Sequence, residues 1–80
     1  MEEQEQFLKA LGAQIVRLRK SKNISQAELA HISDMEPANL RRVEKGRINP
    51  TIWTLRRLCR TLNITLSELP DFEKERGRKF

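Results

Sequence analysis

The chain has 80 residues, and its 16 Lys and Arg outnumber 11 Asp and Glu for a formal net charge of +5; that leaves room for one small domain and points to an anionic partner. With 38% hydrophobic residues it can build a single core of marginal stability, which dimerisation raises. The lone Cys59 excludes an internal disulfide framework, no Cys/His spacing suits zinc, and neither a basic secretory leader nor an apolar run of the ~20 residues that span a bilayer is present, so a soluble cytoplasmic protein without metal or cofactor is expected.

Leu8, Leu11, Ile15 and Leu18 recur at helical spacing behind the acidic start "MEEQEQF", which predicts one amphipathic helix from about Gln4 to Lys22. Asn23 is expected to end it in a left-handed conformation, with Ile24 folding back onto the core. Gly12 inside this helix costs ~1 kcal/mol relative to Ala, a cost that a closely approaching second helix explains.

Ser25 and Glu28 have the spacing of a capping box, so a second helix begins at Gln26. Its apolar side is Ala27, Leu29, Ala30 and Ile32. "SDME" breaks the pattern, Asp34 suits a left-handed turn, and Pro37 is pre-set for the first position of a third helix. That helix runs to Lys45. Leu40 and Val43 face inward, Ala38, Asn39, Arg41, Arg42 and Lys45 lie on the other faces, and Gly46 supplies the stop. After the connector "RINP", Ile52, Leu55, Leu58, Cys59 and Leu62 mark the buried stripe of a fourth helix from about Thr51. Thr65 and Glu68 repeat the capping-box spacing and open a short fifth helix with Leu66 and Leu69, closed by Pro70. The charged remainder, "DFEKERGRKF", reads as a frayed tail or a segment that orders on binding. No alternating run suggests a strand.

Two short helices joined by a tight turn, the second carrying Asn and paired Arg, match what a DNA major groove of ~12 Å admits. The stretch from Leu11 to Leu69 resembles the Cro/C1-type, or xenobiotic-response-element, helix-turn-helix family of phage repressors. Carrying the resemblance are "LRK", "SQAELA", "VEKG", "NPT" and "LNITLSEL". It implies an all-α, compact five-helix, lambda-repressor-like domain over residues 1–69, with its core over 8–69, helices two and three as the helix-turn-helix, and residues 70–80 as a tail.

The resemblance also implies roles. Gln26 anchors a DNA phosphate, and Arg19 pairs with Glu44 in a largely buried ion pair that ties the first helix to the third. Base edges are read from Ala38, Asn39, Arg41 and Arg42. Arg bonds bidentately to guanine, Asn to adenine, and the Ala methyl can touch that of thymine. Pro37 lacks the polar reader that many members carry there, and Glu36 replaces the usual Ser or Thr cap, so readout shifts toward Asn39, Arg41 and Arg42. The other reading of Arg41 and Arg42 is a solvated face or phosphate contacts alone. Lys45, Arg47 and Asn49 are implied backbone contacts, which position without reading sequence. Arg17, with Lys20 and Lys22, either adds to these or simply suits the negative end of its helix.

Trp53, Arg56, Arg57 and Arg60 lie on a face of the fourth helix turned away from its leucines. Trp53 there is a dimer or partner anchor, a platform under an arginine, or a residue partly buried at the domain edge. His31 is read as exposed and Cys59 as a small core hydrophobe. No catalytic set or phosphate-cradling loop is present, which excludes an enzyme reading. The expected function is a sequence-specific double-stranded DNA-binding transcriptional regulator, a homodimeric repressor on a palindromic operator in a bacterial or phage setting associated with the nucleoid. The alternatives are the antitoxin of a toxin–antitoxin pair, with the tail or the Trp53 face holding a toxin, and a restriction–modification controller.

Overall fold

Local hydrogen bonds within a few residues of each helix end explain most of the element boundaries in the computed structural model, which describes residues 2–71. Helix α1 spans Glu2–Ser21, with Glu2, Glu3 and Glu5 in its first turn and Arg19 and Lys20 in its last, each charge complementing the helix dipole. It starts two residues before the expected Gln4. Asn23 closes it at φ 57°, and the Ile24 N–H returns 3.2 Å to the Arg19 carbonyl, a left-handed cap that turns the partly buried Ile24 onto the core.

Helix α2, Gln26–Ile32, opens on a complete capping box. The Glu28 N–H donates to Ser25 Oγ at 3.0 Å, and the Ser25 N–H donates to Glu28 Oε1 at 3.0 Å. Asp34 then takes φ 56° and turns the chain into α3, Pro37–Glu44, where Glu36 is the N-cap without a side-chain cap bond. Pro37 offers a backbone already near helical φ, which replaces that missing bond as the local start signal. Gly46, at φ 71°, carries the chain away. Helix α4, Ile52–Leu62, begins at Thr51, whose Oγ1 accepts the Thr54 N–H at 3.1 Å, and ends at Asn63 with φ 59°. The Asn-Ile pair at 63 and 64 repeats the closure at 23 and 24: the Ile64 N–H bonds the Cys59 carbonyl at 3.0 Å.

The expected fifth α-helix is instead a 3₁₀ helix, Leu66–Asp71. Glu68 Oε1 accepts from the Thr65 N–H at 2.8 Å and from the Thr65 hydroxyl at 3.0 Å, so only half of a capping box forms. Pro70 does not terminate this segment but kinks it from within, at φ −88° and ψ 31°. Six residues with a proline that cannot donate leave too few i→i+4 bonds for an α-helix. The architecture is thus four α-helices and a 3₁₀ turn, with no strand among the described residues. Of the tail expected over residues 70–80, Pro70 and Asp71 belong to this 3₁₀ turn, and the rest lies outside the described residues.

One core joins every element. It holds Leu11 and Ile15 of α1, Leu29 and Ala30 of α2, Leu40 and Val43 of α3, Leu58, Cys59 and Leu62 of α4, and Leu69 of the 3₁₀ turn. Burial pushes the Cys59 thiol up from its ordinary pKa, with the charge of Glu68 adding to the effect, which keeps it a protonated, inert packing group. The ends of two expected stripes are uncovered: Ile32 is 61% and Ile52 69% exposed, and Ala27 is exposed as well. Ile32 closes α2 and Ile52 opens α4, so each sits where its helix runs past the neighbours that bury Leu29 and Leu58. No helix among the described residues is long and apolar enough to cross a membrane.

Candidate nucleic-acid interface

Helix α3 is held from behind. Leu40, Val43 and Glu44 are its buried residues, and α1 and α2 both pack against it. Gly12 permits the closest approach: a Cβ built there would lie 2.4 Å from the Glu44 carbonyl oxygen and 2.5 Å from that of Val43. Beside this contact Arg19 and Glu44 meet, Nε to Oε2 at 2.8 Å and Nη2 to Oε1 at 3.2 Å, while Arg19 Nη1 donates to the Ile24 carbonyl at 3.0 Å. The Glu44 side chain is 4% exposed. Gln26 joins the pair, its Nε2 donating to Glu44 Oε1 at 2.8 Å. A buried carboxylate satisfied by three donors from two other helices clamps α3 at its C-terminal end.

The outward face is polar. Ala38, Arg41, Arg42, Lys45 and Arg47 line one shallow groove. Asn39 and Asn49 line a neighbouring groove with Met35, Ile48 and Thr51. Arg42 and Asn39 are linked across the two, Arg42 Nη1 donating to Asn39 Oδ1 at 2.9 Å. That bond leaves the Asn39 amide N–H groups and the rest of the guanidinium available as donors. Pro37 and Glu36 are exposed at the start of the helix.

The remaining sequence-derived candidates lie elsewhere. Arg17 is exposed on α1 and donates to Gln14 Oε1; Gln26 is half-buried against Glu44. On α4, Trp53 is 58% exposed beside Ile52, and Arg56 and Arg60 are exposed. Arg57 instead is half-buried and reaches toward the exposed Asp34, Nη1 to Oδ2 at 3.7 Å, and with Arg60 lines a groove against Ile32, Ser33 and Thr61. His31 is exposed.

Two sites were not singled out from the sequence. Gln14 is buried and orients Arg17; its spacing three after Leu11 and four before Leu18 places it on the apolar stripe, which is the signal that could have found it. The Ser33 and Thr61 hydroxyls share a 3.0 Å hydrogen bond between the end of α2 and α4. Nothing local in the sequence connects residues that far apart.

Comparison with known proteins agrees with this geometry. Residues 15–69 match the model of a helix-turn-helix family. Over 61 residues the chain is 36% identical to an uncharacterised HTH-type transcriptional regulator, y4dJ, of Sinorhizobium fredii, covering 76% of this chain and 79% of the relative. It is 38% identical over 61 residues to the ImmF control region 10 kDa protein of Bacillus phage phi105, covering 76% and 68% of the two chains. Among solved structures, the restriction–modification controller protein C.AhdI of Aeromonas hydrophila superposes with a TM-score of 0.76 at 31% identity, over 78% of this chain and 94% of that one.

Proposed function

From the premise that this chain belongs to the Cro/C1-type helix-turn-helix family of DNA-binding transcriptional regulators, we propose that it is a dimeric repressor acting on a palindromic operator in the cytoplasm of a bacterial host. The observation that carries this reading is the two-sidedness of α3: one face clamped through Leu40, Val43 and Glu44, the other presenting Arg41 and Arg42 in a groove that Lys45 and Arg47 extend past the helix end.

In the proposed complex α3 enters the major groove. Asn39, Arg41 and Arg42 address base edges and Ala38 packs against them. The Arg42–Asn39 bond pre-orients both side chains, which lowers the entropy lost on binding. Lys45, Arg47 and Asn49 hold phosphates beyond the end of the helix, with Gln26 and Arg17 as further backbone contacts. Gln26 has one amide hydrogen committed to Glu44, so a second, or its backbone N–H in the first turn of α2, would face the phosphate. Two copies joined through the exposed Ile52 and Trp53 surface would set half-sites about one helical turn, ~34 Å, apart.

A restriction–modification controller is the second reading, favoured by the similarity to C.AhdI across 94% of that chain. Selection of bound sequences from randomised duplex DNA at ~150 mM salt, where phosphate attraction is partly screened, tests the reading common to both. An enriched palindrome is expected, and its spacing reports the dimer. Salt-sensitive binding without enrichment would overturn sequence-specific regulation by this chain alone.

A further inference from the structure

The first turns of α1 lie beside the proposed phosphate contacts of the DNA-binding surface. Glu5, Lys9, Lys45, Gly46 and Arg47 line one groove, and Lys45 and Arg47 are also the residues that carry the α3 groove to its end. The two grooves are therefore continuous through these two cations. Glu5 introduces a negative charge into the groove that Lys45 and Arg47, assigned to DNA phosphates, also line.

The backbone that carries Glu5 is held against the loop after α3. A Cβ on Gly46 would lie 2.6 Å from the Lys9 Cα and 2.9 Å from the Leu8 carbonyl carbon, so the loop after α3 rests directly on the α1 backbone. Glu5 precedes Lys9 by four residues and shares its helix face. Among the described residues the ion pairs within 4 Å are Arg19–Glu44 and Arg57–Asp34. Glu5 thus shares a groove with Lys9, Lys45 and Arg47 without an ion pair within 4 Å to any of them.

We propose that Glu5 is an electrostatic brake on DNA binding, a negative charge in the same groove that weakens the attraction of the Lys45–Arg47 rim for any phosphate backbone. This inference deepens the DNA-binding function and rests on it. The brake acts on the sequence-independent part of affinity, so it limits retention on random DNA while Asn39, Arg41 and Arg42 still distinguish the operator. A like charge within about a Debye length of a phosphate weakens binding by up to ~3-fold in water, and added salt screens the effect.

The test compares wild type with Glu5→Gln and Glu5→Lys on a random-sequence duplex and on the selected operator, by fluorescence anisotropy at ~50 and ~500 mM salt. Glu5 is exposed, and Gln and Lys both favour helix, so the fold is kept. Asp34→Asn adds the same charge at a groove formed by α2 and α4, and Asn accepts the left-handed backbone there. Expected is a ~2- to 5-fold tightening by Glu5→Gln on both duplexes at low salt, more for Glu5→Lys, a smaller change for Asp34→Asn, and convergence at high salt. Equal affinity of Glu5→Gln and wild type would overturn the brake, as would an equal gain from Asp34→Asn, which would reduce the effect to net charge. Failure of the wild-type chain to bind any duplex would sink the DNA-binding function as well, whereas binding that Glu5→Gln leaves unchanged sinks the brake alone.

Discussion

An added methyl at Gly12 has nowhere to go, because the atoms it meets, the Val43 and Glu44 carbonyl oxygens, belong to the backbone of α3. Gly12→Ala gains ~1 kcal/mol of helix propensity but must push α1 and α3 apart, an overpacking cost of ~1–3 kcal/mol to which weakening of the adjacent Arg19–Glu44 clamp adds. A net loss of stability is expected in urea denaturation, and an unchanged or raised midpoint would refute the close approach. On the outward side, Arg42→Ala removes both the proposed base contact and the bond that orients Asn39. It should cost ~1–3 kcal/mol on the selected operator and relax preference at the affected base. Uniform weakening on all duplexes would reassign Arg42 to phosphate.

The helix starts make the fold sensitive to acid in a defined direction. The Ser25 backbone N–H, with the Ser25 hydroxyl, holds the Glu28 carboxyl below its ordinary 4.5, and the Thr65 N–H and hydroxyl do the same for Glu68. Both groups are more acidic folded than unfolded. Their stabilising contribution is therefore complete above the ordinary carboxylate value and is lost as pH falls through the lowered folded values. Thermal midpoints should decline below about pH 4.5, and Glu28→Ala should make that decline shallower; a decline identical to wild type would remove Glu28 from the account. Ser25→Ala at neutral pH should cost ~1 kcal/mol through the lost cap.

Across the assembled domain, two exposed large hydrophobic residues adjoin in sequence where α4 begins. Ile52 and Trp53 are 69% and 58% exposed, next to the exposed Arg56, a combination of aromatic and arginine that favours interfaces. If this face joins two copies, Trp53→Ser should weaken self-association ~10-fold or more in sedimentation equilibrium while leaving the monomer's helix content intact. Self-association equal to wild type would place the dimer contact elsewhere.

The helix ends were legible in the sequence because their causes are local. Ser25 and Glu28 bond each other, Asn23 and Asp34 take the left-handed turns expected of them, and Pro37 begins α3; each signal acts across at most a few residues. The apolar spacing also named most of the core, from Leu11 to Leu69. Where each stripe stops being covered depended on neighbours distant in the chain, so Ile32 and Ile52 were read as inward yet stand in solvent, and Gln14 was overlooked though buried. The last segment lay between: its Thr65–Glu68 spacing marked a helical turn, but proline chemistry and the short length made it 3₁₀. Only tertiary packing could bring Glu5 to the loop after α3, or Ser33 to Thr61, because burial and proximity across dozens of residues are decided by how the helices stack, whereas caps and turns are decided by bonds the chain makes to itself within a turn.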